Sequence, residues 1–80
     1  MNDSLKRYIA QKNIWRRVFK QTEIDASNIT PKQARELLDS IEGDLSPENL
    51  HCDGEISAAE ARRKARWLNE CKQALLSGQY

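Results

Sequence analysis

Along the first twenty residues the apolar positions are Leu5, Tyr8, Ile9, Trp15, Val18 and Phe19, with Ile14 set to one side. Their offsets of three, four and seven fit one face of a helix. Asp3 or Ser4 can cap its start. The pattern predicts a helix over about 4–21, with Asn13 as a point where it can bend. The stretch TEIDASN then reads as loop.

The second element carries its own start signal. In ITPKQA, Thr30 stands at the N-cap, Pro31 at the first helical position and Gln33 two residues later, which is a capping box with a favoured proline. Ile29 and Ala34 are placed as a hydrophobic staple. Ala34, Leu37, Leu38 and Ile41 continue as one stripe, and Gly43 is the expected stop. The predicted helix covers about 31–42. An acidic connector, about 43–56, follows, in which Ser46 and Pro47 can open one short turn and Leu45 and Leu50 can pin it to the core.

The third helix is predicted over about 58–77. Ser57 and Glu60 are spaced as a second capping box, with Ile56 and Ala61 as its staple. Ala61, Ala65, Leu68, Cys71 and Leu75 form the stripe, widened by Trp67 and Ala74 on one side and Leu76 on the other. So wide an apolar face has to meet both other helices or a partner. Trp67, Cys71 and Leu76 are the interface candidates on it. Gly78 ends the helix. The expected fold is all-α, a single three-helix domain.

Composition agrees. Eighty residues are enough for one domain with a small core. Val18 is the lone valine, against eight alanines and many Leu, Lys, Arg, Gln and Glu, which favours helix over strand. No apolar run approaches the roughly 20 residues a membrane-spanning helix needs. MNDSLKRYIAQ has no apolar core of the kind a secretory signal carries. The expected compartment is the cytoplasm, with Cys52 and Cys71 as reduced thiols.

One stretch resembles a known site. With Gly54 at its sixth position, NLHCDGEISAAE places Asn49, His51, Asp53, Glu55, Ser57 and Glu60 at the ligand positions of an EF-hand calcium loop. The resemblance covers twelve residues and fails at important ones. Calcium wants hard oxygen ligands, and the third position here is an imidazole. The entering helix would run through Pro47, at a cost of about 3 kcal/mol. Turn and cap chemistry accounts for the matching letters without a metal. Asp-Gly makes a turn, Ser57 and Glu60 cap a helix, and Asp53 and Glu55 suit the positive end of its dipole. The adjacent pair His51–Cys52 is poorly placed to aim both side chains at one ion or one proton. No phosphate loop, nucleophile–base set or acid/base pair is present, so the expectation is a protein that is not an enzyme and takes no cofactor.

Charge is the more informative property. The net charge of +1 hides a segregation: residues 1–20 hold six Lys/Arg and one acid, residues 21–60 two and ten, residues 61–80 five and one. Lys12, Arg16 and Lys20 stack at four-residue spacing, and such like-charge neighbours each cost a few tenths of a kcal/mol. On the third helix Arg62, Arg63 and Arg66 share the polar face, with Glu60 in reach of Lys64 and Arg66 in reach of Glu70. The basic helices either pack against the acidic centre or hold a basic face open to phosphate or to an acidic protein. The rings of Tyr8, Trp15, Phe19 and Trp67 are expected inside, where so short a chain needs them. The resulting expectation is a small cytoplasmic adaptor or regulator working through protein–protein contact, a homodimer being one form of it. The alternative is a nucleic-acid-binding accessory protein using Arg16, Arg17, Arg62, Arg63 and Arg66.

Overall fold

The computed structural model describes residues 3–50 and 57–78, all-helical in architecture. In chain order α1 is Asp3–Val18, α2 is Pro31–Asp44, α3 is the single turn Pro47–Leu50, and α4 is Ala58–Leu76. The three long helices are those the apolar spacing predicts, and α3 is the short turn expected at Ser46–Pro47.

The capping signals explain the starts. At α2 the box is complete: the Gln33 amide donates to Thr30 Oγ1 and the Thr30 amide donates to Gln33 Oε1, each at 3.1 Å. At α4 half of it forms: the Glu60 amide donates to Ser57 Oγ at 3.2 Å, and the return bond to the Ser57 amide is not made. Two of the ends differ from the expected ones. Gly43 does not stop α2, which runs through it to Asp44. Leu45 then closes the helix in a right-handed conformation, its amide donating to the Ile41 carbonyl at 2.9 Å. Glycine in a helix costs about 1 kcal/mol against alanine, which packing can outweigh. Helix α1 stops earlier than about residue 21. Lys20 takes a left-handed backbone (φ 57°), and the Gln21 amide donates to the Arg16 carbonyl at 2.7 Å. That is a Schellman ending built on lysine in the place usually held by glycine. Gly78 (φ 72°) ends α4 as expected.

Helix α4 is the spine, packing against both α1 and α2. Between α1 and α2 there is no comparable close approach of backbones; side chains bridge them. The core joins Leu5, Tyr8 and Ile9 of α1, Ala34, Leu37 and Ile41 of α2, and Leu68, Cys71, Ala74 and Leu75 of α4. Ile24, from the loop after α1, plugs it at 3% exposure. The plug is held by Asn13, whose Nδ2 donates to the Ile24 carbonyl and whose Oδ1 accepts the Ile24 amide, both at 2.8 Å. Helix α1 continues through Asn13 without interruption. Tyr8 meets Trp67 edge to face, with ring centres 5.8 Å apart. The Trp67 indole N–H donates to the Ser4 carbonyl at 3.1 Å, tying α1 to α4. The Tyr8 hydroxyl ties α1 to α2 through Ser40 (2.8 Å) and Asp44 (2.9 Å).

Candidate interaction surfaces

The last turns of α1 depart most from the expected packing. The core-facing line of this helix continues from Leu5, Tyr8 and Ile9 not through Trp15 and Phe19 but through Lys12, Asn13 and Arg16, all partly buried. Each has a specific partner. Lys12 pairs with Asp44 at 3.2 Å, Arg16 with Glu36 at 3.0 Å, and Asn13 holds Ile24. Trp15 and Phe19 follow Tyr8 along the neighbouring edge, which faces the gap where α1 and α2 do not close. They are 61% and 66% exposed, and Ile14 and Val18 on the outer side are 58% and 63% exposed. The expectation that the rings of Trp15 and Phe19 and the methyls of Val18 lie inside is therefore corrected. Of the rings of Tyr8, Trp15, Phe19 and Trp67, that of Tyr8 is fully buried and that of Trp67 partly buried. Trp15 and Phe19 stack on each other instead, ring centres 6.2 Å apart and 20° from parallel. Beside them a groove of about 190 Å³ opens between α1 and α2, lined by Lys12, Arg16, Glu36, Leu37 and Ser40 among others. At about 30 Å³ per water, that is space for several waters.

A second surface lies on the α1–α4 seam. The helices run antiparallel there, with Ser4 at Glu70 (2.7 Å from Oγ to Oε2) and Tyr8 at Trp67. A shallow depression of about 370 Å³ is lined by Arg7 from α1 and by Arg63, Lys64, Arg66, Trp67 and Glu70 from α4. Among the described residues none of its cations is in an ion pair. The contacts Glu60–Lys64 and Arg66–Glu70, expected from four-residue spacing, are not made.

The five arginines read as one nucleic-acid set are thus divided. Arg16 is paired to Glu36 and also donates to the Thr22 carbonyl at 3.0 Å. Arg17 is paired to Glu23 at 2.9 Å. Both are committed within the fold. Arg63 and Arg66 line the α1–α4 depression. Arg62 is exposed on the same helix, its Nε donating to the Ala58 carbonyl at 3.3 Å. Arg7 and Lys64 join the basic surface without having been singled out from sequence. The sequence carries no signal for them, because the offset that sets Ser4 against Glu70 and Tyr8 against Trp67 is fixed by packing.

Comparison with known proteins adds no relative. No family model, no curated protein and no solved structure matches the chain.

Of the interface candidates on α4, Cys71 is corrected. It is 0% exposed in the core and presents no atom to a partner. Burial, with a smaller contribution from Glu70, pushes its thiol up to about 11, so it stays protonated and unreactive at neutral pH. Trp67 is partly buried on the seam, and Leu76 is 60% exposed at the far end of α4 from Trp15. Of the calcium-loop positions, His51, Asp53 and Glu55 lie outside the described residues, as does Cys52. Asn49 is on α3, its side-chain amide donating to the Gly43 carbonyl. Ser57 caps α4, and Glu60 is in its first turn. Among the described residues no three His, Cys, Asp or Glu side chains gather as a metal site, and no helix is long and apolar enough to cross a membrane.

Proposed function

We propose that this chain is a small, non-catalytic cytoplasmic adaptor or regulator that acts by protein–protein contact, and that the last turns of α1 make that contact. The observation that carries this is the exposure of Ile14, Trp15 and Val18 in the last turns of α1 together with Phe19, which follows it. Single exposed apolar residues are ordinary, but a contiguous group of large ones is a mark of an interaction site. Aromatic residues are enriched in protein interfaces and among the side chains that dominate their energy. Nucleic acid fits this patch less well. Two of its four members are aliphatic, and Arg16 and Arg17 beside them are already neutralised by Glu36 and Glu23.

Site-specific photo-crosslinking in the host cell tests it. A photoreactive phenylalanine analogue replaces Trp15 in one protein and Lys32, on the outward side of α2, in another. A protein adduct of discrete mass from position 15 and none from position 32 supports the proposal. An adduct of twice the chain mass identifies the partner as a second copy. Crosslinks to nucleic acid, or equal and diffuse adducts from both positions, overturn it.

A further inference from the structure

The basic depression and the apolar patch are parts of one continuous surface. Lys64 and Trp67 line the basic depression and also a neighbouring one that reaches Tyr8, Gln11, Lys12 and Trp15. Trp15 in turn lines the groove against α2. A single occupant can therefore run along α1 from Arg7 to the stacked rings. From Arg7 to Val18, the last residue of α1, the helix axis measures about 16 Å at 1.5 Å per residue, the length of about three helical turns of a partner.

The two ends of this track ask for different chemistry. One end offers apolar side chains. The other offers Arg7, Arg63, Lys64 and Arg66 against the lone carboxylate of Glu70, which already accepts the Ser4 hydroxyl. Elsewhere in the fold, Lys12, Arg16, Arg17 and Lys72 each have a carboxylate, while Lys6, Lys20, Lys32 and Arg35 form no ion pair among the described residues but do not line this depression. Here, with Arg62, Arg63 and Arg66 at three- and four-residue spacing, like charges repel and no acid of the described residues forms an ion pair with them. Guanidinium groups bind carboxylates through paired N–H donors, which fixes orientation as well as charge.

We propose that the α1–α4 track binds an acidic amphipathic segment of a partner protein: its apolar side chains cover Ile14, Trp15, Val18 and Phe19, and its carboxylates meet Arg7, Arg63, Lys64 and Arg66. The inference rests on the protein-contact function proposed above and names the chemistry of the partner. A phosphate backbone would find the cations, but the ring among them in the depression, Trp67, is partly buried. The Trp67 N–H is already used on Ser4 and its ring packs on Tyr8. Glu36 lines the groove beside the rings and presents a carboxylate to a polyanion there.

The probe is a labelled helical peptide of about four turns whose contact face carries Leu and Phe along one half and Glu along the other, compared with the same peptide carrying Lys in place of Glu. Fluorescence anisotropy is read at about 0.05 M and about 0.5 M salt, where screening differs strongly. The expected result is that the Glu peptide binds at least about tenfold tighter than the Lys peptide at low salt and loses that advantage at high salt. The double variant Arg63→Gln with Arg66→Gln, checked to melt like the unaltered protein, removes the advantage as well. Equal binding of the two peptides overturns the inference and leaves the apolar contact standing, which the crosslink from position 15 reports independently. Binding of neither peptide overturns it too. Tighter binding of a duplex DNA or of anionic phospholipid vesicles than of the Glu peptide assigns the cations to phosphate and overturns it.

Discussion

The Asn13 side-chain amide offers one donor and one acceptor to the backbone of Ile24 and satisfies both. Removing it leaves two part-buried backbone groups without partners and loosens the Ile24 plug. Asn13→Ala is expected to cost about 2–3 kcal/mol, read as a fall in the denaturant midpoint. A change below about 0.5 kcal/mol, the level of an ordinary surface substitution, would show that the plug is held by its side chain alone. Cys71 gives a pH prediction. Its thiol is raised from the ordinary 9.0 to about 11, mainly by burial. A raised folded value means that the stability tied to the protonated thiol is fully present below pH 9.0 and is lost as pH rises from there to about 11. Stability should therefore fall over that interval. The slope should be shallower in Cys71→Ala, by up to about 1.4 kcal/mol per pH unit. Parallel slopes in the two proteins would contradict the burial of the thiol. Tyr8, also raised by burial, moves stability in the same direction at higher pH.

At the scale of the elements, most of the fold was legible because punctuation and period agreed. Thr30–Pro31–Gln33 and Ser57 mark helix starts through bonds that a side chain can make only there, and Gly78 marks an end through a conformation that glycine takes freely. Thr30→Ala should cost about 1–2 kcal/mol and Ser57→Ala about 0.5–1 kcal/mol, the difference reflecting a complete box against half of one. The reverse order in thermal melts would contradict that account. The wide apolar face of α4 was legible as contact with both other helices or with a partner, and it packs on α1 and α2. The end of α1 was not legible. A lysine in the left-handed conformation leaves no letter to read, and the side of the helix that meets the core in its last turns is polar. Lys12, Asn13 and Arg16 stand at the right spacing from Tyr8 and Ile9, but their partners, Asp44, Ile24 and Glu36, come from distant parts of the chain. A hydrophobic pattern followed alone therefore continues along the wrong edge.

For the whole molecule, the charge segregation seen along the chain has two different fates. The acidic centre neutralises the end of α1 and, through Glu42 and Lys72, the end of α4. The start of α1 and the first half of α4 keep their cations on the surface. The candidate site could not be read whole from sequence, because it joins Arg7 to Arg63 across the seam and sets them beside rings that the pattern assigns to the core. The central claim is that these rings face solvent in the free protein and serve contact rather than stability. The double variant Trp15→Ser with Phe19→Ser tests it most directly by denaturant unfolding. The structure predicts a stability within about 1 kcal/mol of the unaltered protein, since exposed positions cost about 0.5 kcal/mol or less each. A loss of about 3–5 kcal/mol or more, the cost of emptying one buried aromatic site, would place the rings in the core and contradict the account.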